Sequence, residues 1–237
     1  MNVNKNFLLT NPFIDAYIQS DFLGKVIFMA LITLSIISWI VIVYKCWLLV
    51  KIKKESKKTK FFFKNHTVIP LTQENSFSPV DPFNQIYQVA KKTTLDLLSK
   101  NYQYNATTFL SRSDIELIEG QLQSQIAQQT KILEKNLFFL STIVSLAPFL
   151  GLLGTVWGIL ITFAGLQNQG MSQSNQVILG GLSLALSTTV IGLIDAIPAL
   201  IGYNYLKNTI YNYEMEMQTF STDMLSSVEM QYRKVDA

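Results

Sequence analysis

The sequence predicts an all-α membrane protein with three transmembrane helices and long helical extensions. Of its 237 residues, 49% are hydrophobic and only 15% are charged, which is more apolar and less charged than a typical soluble domain. The apolar residues concentrate in two uncharged runs, between Lys25 and Lys45 and between Lys135 and Asp195. Each run is long enough to cross a bilayer.

The segment boundaries follow from these runs. The stretch QNQGMSQSNQ is polar and contains glycine, so it divides the second run into two crossings. The predicted transmembrane helices are residues 26–46, 137–166 and 177–205. The segments between and around them are an outer N-terminal segment (1–25), a helical loop (47–136), an outer loop (167–176) and a C-terminal helix (206–237).

Lysines predict the orientation of these helices. Seven lysines lie between Lys51 and Lys64, directly after the first helix. The positive-inside rule therefore places the N-terminus outside, and the large loop and C-terminal helix in the cytoplasm. The same cluster could bind nucleic acid or anionic lipid, but topology alone explains it. The first helix reads as an anchor, since its apolar run is too long for a cleaved signal.

Sequence signals also place helices outside the membrane. Asp81 and Pro82 resemble a helix start, and Ser113 to Glu116 match a capping box. An apolar stripe runs from this box into the second transmembrane helix, so we expect one unbroken helix there. The tail carries a second stripe that could pack on the loop helices or on another subunit. Residues 65–80 read as a flexible connection, and residues 11–24 as a short amphipathic helix.

Small and polar residues line one face of each of the last two membrane helices. Such residues allow close helix contact, since lipid offers no hydrophobic drive toward association. On the second helix they are Ser141, Ser145, Pro148, Gly151, Thr155, Gly158, Thr162 and Gly165; on the third they are Gly181, Ala185, Thr188, Gly192, Asp195, Ala199 and Gly202. Thr189 lies beside this second stripe, which widens the polar sector.

Asp195 is the residue of these helices that most needs an explanation. An ionised carboxylate near a membrane helix centre costs roughly 3 kcal/mol on insertion scales, and such acids often mark proton or ion paths. The alternative is that Asp195 reaches cytoplasmic water or pairs with a lysine of a neighbouring subunit. Spacing alone does not choose between the two.

The composition gives little reason to expect an enzyme or a metal-binding site. The chain has one Cys and one His, too few for a disulfide within the chain or a Cys/His metal site. It shows no pairing of nucleophile and base and no P-loop. We expect neither an enzyme nor a bound cofactor.

Two stretches carry a family resemblance. APFLGLLGTVWGI at residues 147–159 and LSTTVIGLIDAIPALIGYN at residues 186–204 strongly resemble the MotA/TolQ/ExbB proton channel family. The N-terminal region is more similar to the TolQ branch than to the ExbB branch. The resemblance implies a bacterial inner-membrane protein that forms a homopentamer around the single transmembrane helices of TolR- or ExbD-like partner chains, with a TolA- or TonB-like protein beyond them.

The resemblance also implies roles for individual residues. Thr155 and Thr189 match the family's pore-lining threonines, which face an Asp on the partner helix. Gly154 and Gly158 match its close-packing glycines, and Pro148 and Pro198 its prolines. One position departs from the pattern: many members carry a glutamate where this chain has Leu184, and Asp195 stands where a small apolar residue is more usual.

The sequence therefore predicts a proton-driven energy transducer, with no nucleic-acid partner. Asp195 could take over part of the role of the missing glutamate. Three rivals remain: a passive membrane scaffold in which the threonines and glycines only pack helices, an ExbB-type energiser of nutrient uptake, and a permease subunit. Three helices without an internal repeat give a permease little material for an alternating-access site.

Overall fold

The described part of the protein is entirely helical in its regular structure. The computed structural model describes residues 12–64, 78–105, 108–168 and 174–233. The helices within these ranges are α1 (Pro12–Gln19), α2 (Phe22–Lys64), α3 (Pro82–Asn105), α4 (Arg112–Glu134), α5 (Leu137–Asn168) and α6 (Ser174–Tyr232). Three of them, α2, α5 and α6, are long and apolar enough to cross a membrane. The predicted all-α class and its three spanning helices are confirmed.

Both α2 and α6 continue far beyond the apolar segments from which the transmembrane helices were predicted. The structure extends α2 over 43 residues and α6 over 59 residues. The short helix expected within residues 11–24 is present as α1, where the Tyr17 ring meets the Phe28 ring edge-on at 5.8 Å. The flexible connection predicted for residues 65–80 lies largely outside the described residues. Of the outer loop predicted for 167–176, residues 169–173 lie outside them, while α5 reaches Asn168 and α6 begins at Ser174.

The capping box at the start of α4 lies two residues earlier than predicted. The N-cap is Ser111, whose hydroxyl accepts the N–H of Asp114 at 3.2 Å, while the Asp114 carboxylate accepts the N–H of Ser111 at 2.9 Å. The predicted box at Ser113 and Glu116 was therefore wrong. Both registers satisfy the same sequence pattern, but Asn101 of α3 donates to Asp114 at 3.0 Å, and this tertiary contact favours the earlier register.

We expect Ser111→Ala to destabilise the first turn of α4 by about 1 kcal/mol, because it removes the acceptor for an N–H at the helix end. Ser113→Ala is the matched control and should have almost no effect. Hydrogen exchange of the α4 amides in the full-length protein measures both. Equal exchange rates in the two variants would contradict the position of this cap.

The pH dependence of this cap follows from Asp114. Partial burial works to raise the pKa of Asp114, but hydrogen bonds from the Ser111 backbone and from the Asn101 and Ser111 side chains outweigh it and lower the pKa below its ordinary value. A carboxyl group with a lowered folded pKa stabilises the fold at neutral pH. We expect that stabilisation to be lost as pH falls through the folded pKa. In the Asp114→Asn variant it should be absent at every pH.

The helix entering the second crossing is broken, so the prediction of one unbroken helix was wrong. Between α4 and α5, Asn136 adopts a positive φ of 74°, a conformation that Asn tolerates better than most residues. The apolar stripe gives no sign of the break, because Leu133 before it and Leu137 after it are four residues apart, which is a helical spacing. The buried Lys45 side chain donates to the Leu133 carbonyl at 2.7 Å, which satisfies a carbonyl at the end of α4.

The chain divides into two compact units. Unit 1 comprises Met1–Tyr44 and Asn136–Tyr205, and unit 2 comprises Lys45–Lys135 and Leu206–Ala237. Unit 1 contains the apolar parts of α2, α5 and α6. Unit 2 contains α3 and α4 together with the later parts of α2 and α6.

In unit 1, α6 runs parallel to α2 and antiparallel to α5. Gly24 and Gly202 approach Leu184 and Ile42, respectively, across the α2–α6 contact, so the numbering offset between the two helices is constant at 160. Against α5 the numbers run in opposite directions, since Gly192 meets Ala147 and Gly158 meets Gly181. Alternating directions are what three successive crossings of a membrane require.

In unit 2, the apolar stripe of the tail packs inside the unit. Its members are all buried: Ile210, Tyr213, Met217, Phe220, Met224 and Val228. The Phe83 ring of α3 meets the Tyr213 and Phe220 rings at 5.3 and 5.2 Å. Of the two alternatives that the sequence left open, packing on the loop helices is confirmed.

Candidate functional site

The backbones of α5 and α6 touch along a row of glycines. A Cβ atom added at Gly192 would lie 2.6 Å from the Ala147 carbonyl oxygen, and one at Gly158 would lie 2.5 Å from the Gly181 carbonyl oxygen. Gly151 packs in the same way against the backbone of Thr188 and Thr189. Small residues permit this approach between helices in lipid. The structure places these glycines at the contact between α5 and α6, and their packing role in the membrane stays a prediction.

Thr188 lies inside this glycine row. Its side chain is fully buried and fills the space beside Gly154. Its hydroxyl is within hydrogen-bond distance of the carbonyls of Leu184 (3.0 Å), Ala185 (3.1 Å) and Gly151 (3.4 Å). One O–H proton serves one of these acceptors at a time. Thr188 therefore bridges α6 and α5 within a single subunit.

Thr189 and Thr155 share one edge of the α5–α6 pair. The Thr189 hydroxyl donates to the Gly151 carbonyl at 3.1 Å, and the Thr155 hydroxyl donates to the next carbonyl of α5, that of Leu152, at 2.6 Å. Both side chains are partly exposed. With their protons donated to these carbonyls, the two hydroxyl oxygens can each accept a hydrogen bond from a water molecule or a protonated carboxyl group that comes from outside the chain. Their pore-lining role stays a prediction.

Asp195 lies on the face of α6 that meets α2. Its side chain is only 6% exposed, and it hydrogen-bonds the side chain of Ser35. The second carboxyl oxygen, Oδ2, has no hydrogen-bond partner among the described residues. So little exposed surface leaves small room for contact with cytoplasmic water or a neighbouring lysine.

Pro148 and Pro198 lie inside continuous helices. Proline has no N–H, so the carbonyls four residues earlier, those of Val144 and Ile194, lose their helical donors. Membrane helices tolerate this where neighbouring groups or waters supply a donor. The antiparallel register, in which Gly192 meets Ala147, places both carbonyls near the level of Asp195.

Leu184 occupies an apolar pocket of unit 1. It is 1% exposed and clusters with Ala16 of α1 and Phe28 of α2. A glutamate at this position would bury its carboxylate against those apolar side chains. The structure therefore provides a physical reason for leucine at the position where many family members carry an acid.

Two polar residues of unit 1 were not predicted from the sequence. Ser35 lies in an apolar run and has no motif around it, and Asp21 precedes the first predicted crossing and belongs to no motif. The Trp157 indole donates to the Asp21 carboxylate at 3.0 Å. Ser35 could have been found only from the pairing of α2 with α6. Asp21 could have been suspected from Trp157, because the indole N–H of a tryptophan in a membrane helix needs a polar partner.

Metal chemistry gains no candidate site in the part of the chain that the structure describes. Within these residues, no group of three or more His, Cys, Asp and Glu side chains could hold a metal ion. The acidic and hydroxyl groups of unit 1 are instead spread along the helices.

Comparison with known proteins gives a consistent result. A family model described as the MotA/TolQ/ExbB proton channel family matches residues 90–219. The chain is 27% identical over 232 residues to the Tol-Pal system protein TolQ of Haemophilus influenzae, covering 92% of this chain and 94% of that protein. It is 40% identical over 103 residues to the biopolymer transport protein ExbB of Aquifex aeolicus, covering 44% and 69%. An ExbB from Neisseria meningitidis is 25% identical over 200 residues, covering 84% and 88%.

Proposed function

Because this chain belongs to the MotA/TolQ/ExbB proton channel family, we propose that it is the pore-forming subunit of an inner-membrane machine that couples proton flow to work on the cell envelope. One observation carries this proposal: the hydroxyls of Thr155 and Thr189 donate hydrogen bonds to adjacent carbonyls of α5, at one edge of the glycine-packed pair of α5 and α6. This edge is the part of unit 1 best suited to face a proton-carrying partner.

The partner in this proposal is a TolR- or ExbD-like chain with a single membrane helix. Copies of the present chain, five by family resemblance, surround that helix with α5 and α6. An Asp on the partner carries the proton, and Thr155 and Thr189 provide it with neutral hydrogen-bonding partners. A TolA- or TonB-like protein passes the resulting motion outward.

A TolQ-type role is favoured over an ExbB-type role. The similarity to the TolQ relative extends over 92% of this chain at 27% identity, compared with 84% at 25% identity for the Neisseria meningitidis ExbB and 44% at 40% identity for the Aquifex aeolicus ExbB, and the N-terminal region is also more similar to the TolQ branch. The first would maintain the cell envelope, and the second would energise uptake across the outer membrane.

The proposed orientation places the N-terminus outside and unit 2 in the cytoplasm. Five lysines of the cluster after the first crossing are exposed: Lys51, Lys53, Lys54, Lys57 and Lys58. Lys60 is used within unit 2, where it pairs with Glu216 and lies over the Phe83 ring at 4.2 Å. The exposed lysines suit the cytoplasmic side by the positive-inside rule.

The energetics are adequate for mechanical coupling. Each proton that crosses the membrane releases roughly 2.3 kcal/mol per 100 mV. That energy can bias an equilibrium between two arrangements of the partner helix inside the pore. The hydroxyls of the threonine pair carry no charge, so they can hydrogen-bond a carboxyl group without trapping it as a fixed ion pair.

The test is proton flux into liposomes that contain this chain with its co-purified single-helix partner. We expect Thr189→Val and Thr155→Val each to lower the partner-dependent flux by about two- to tenfold, since the loss of a neutral hydrogen bond costs about 0.5–1.5 kcal/mol. Valine keeps the shape of threonine, so assembly should survive.

Thr142→Val is the matched control for both variants. Thr142 also lies on α5 and donates to its own helix, at 2.9 Å from the Phe138 carbonyl, so the change removes a comparable hydroxyl elsewhere on the same helix. Equal flux in all three variants, at matched assembly, would reject the threonine path and favour the passive scaffold.

A further inference from the structure

A carboxyl group is enclosed among apolar residues of unit 1. Asp195 is 6% exposed and its Oδ2 has no partner within the described part of the chain. The buried hydrophobic cluster formed by α2, α5 and α6 consists of Ile27, Leu31, Ile143, Ala147, Ala196 and Ala199. An ionised carboxylate in such surroundings is costly unless a cation or several donors compensate it.

Among the described residues of α2, α5 and α6, no charged side chain lies close to this carboxyl group. The helix α5 contains no Asp, Glu, Lys, Arg or His. On α2 the nearest charged residues are Lys25 and Lys45, each ten positions from Ser35 and thus about 15 Å away along the helix. On α6 the nearest titratable residue is Tyr203, eight positions further along. Ser35 is therefore the polar side chain that the structure places against Asp195.

Two carbonyls near the level of Asp195 lack their helical donors. Pro148 and Pro198 deprive the carbonyls of Val144 and Ile194 of their helical donors. Both carbonyls lie near the level of Asp195, and Ser35 brings a single hydroxyl proton. A proton, held by the carboxyl group itself or by a water molecule beside it, supplies the missing donor.

We propose that Asp195, together with Ser35, forms a proton-binding site within this subunit, between α2 and α6. The chemistry is simple: the carboxylate takes up one proton to become a carboxylic acid, and returns it as that proton moves on. The site is distinct from the pair formed by Thr155 and Thr189, whose hydroxyls meet the carbonyls of α5.

The site adds a step that the partner does not provide. Asp195 lies two helical turns from Thr188 along α6, about 10 Å along the axis, so polar groups continue along this helix beyond the glycine row, where they meet α2 instead of α5. Its role in proton transfer depends on the proposed function, whereas its capacity to bind a proton does not require the partner chain.

Infrared spectroscopy of the full-length protein in liposomes, without partner, tests this inference. We expect the wild-type protein to show a protonated-carboxyl band at neutral pH that disappears in Asp195→Asn. The band should shift in Ser35→Ala, which removes the hydrogen bond but keeps the acid. It should remain unchanged in Thr189→Val. Asparagine has nearly the same shape as aspartate, so equal melting temperatures will show that the fold is kept.

Two results with these variants would overturn the inference. One is identical carboxyl bands in the wild type and Asp195→Asn. The other is a carboxyl band at the same position in the wild type and in Ser35→Ala. Because the Ser35→Ala variant keeps Asp195, this comparison stays informative if Asp195→Asn fails to fold. Loss of the band on adding sodium at constant pH would indicate a metal-cation site, and would likewise overturn it.

Flux measurements separate this inference from the proposed function. With the partner present, we expect Asp195→Asn to lower proton flux about tenfold at matched assembly. If the threonine variants conduct normally while the Asp195 band behaves as expected, the proposed path fails and the proton site stands. If the threonine variants lose flux while Asp195→Asn shows the wild-type spectrum, the proton site fails alone.

Discussion

Gly158→Ala is expected to separate α5 from α6 and to abolish partner-dependent proton flux. Its new Cβ would lie 2.5 Å from the Gly181 carbonyl oxygen and 3.0 Å from the Ala185 Cβ. Because the carbonyl belongs to the backbone, the clash is relieved only if one helix moves by about 1 Å. Overpacking of this kind costs about 1–3 kcal/mol. The same movement would strain the hydrogen bond of Thr189 to the Gly151 carbonyl, on which the threonine pair depends.

Gly120→Ala is the matched control for this change. Gly120 lies within α4, and nothing stands within 4 Å of the position that a new Cβ would take there. Alanine at this position should stabilise the helix by up to about 1 kcal/mol. The two variants are compared by melting temperature in detergent and by flux. Wild-type melting and flux in Gly158→Ala would show that α5 and α6 do not meet as closely as described.

Asp81→Ala is expected to destabilise unit 2 by about 2–3 kcal/mol, because it removes an N-cap and the acceptor of the buried Thr59 hydroxyl. The buried Ser56 hydroxyl keeps the Ile52 carbonyl as an acceptor at 2.9 Å. Asp81 is 1% exposed. Its carboxylate accepts hydrogen bonds from Ser56 at 2.7 Å and Thr59 at 2.5 Å, both on α2, and from the N–H of Phe83 at 3.2 Å. This one side chain therefore starts α3 and attaches it to α2.

Asp96→Ala provides the comparison on the same helix. Asp96 is exposed on α3, so its replacement removes the same charge without removing a buried acceptor. Hydrogen exchange of the α3 amides should accelerate strongly in Asp81→Ala and hardly at all in Asp96→Ala. Similar exchange in the two variants would mean that the buried cluster around Asp81 contributes little to stability.

A second group of this cluster reports on the same burial. Burial raises the pKa of Tyr213 well above its ordinary value; the hydrogen bond with Ser56 opposes that shift, and the charges of Asp81 and Glu216 add to it. A neutral tyrosine hydroxyl can pair with Ser56 on α2 while its ring packs on Phe83 of α3. The helices of unit 2 thus meet around one small polar cluster with an aromatic rim.

The sequence by itself determined the class of the protein and the identity of its spanning helices. Long uncharged runs admit few structures in a bilayer, since every backbone polar group must find its partner within a helix or a closed barrel. The helical spacing of the tail stripe likewise predicted its buried face. The motif around Thr155 was sufficient to indicate the family, because it is local and contiguous.

Only the tertiary structure decided which neighbour each of those faces meets. Helical spacing gives Thr188 and Asp195 the same direction on α6, yet Thr188 contacts α5 and Asp195 contacts Ser35 of α2. The break at Asn136 and the cap at Ser111 were also beyond sequence patterns, because a helical spacing persists across the break and two serines compete for one cap. Periodicity is a property of one helix, whereas a buried acid, a cap and a close approach depend on residues far apart in the chain.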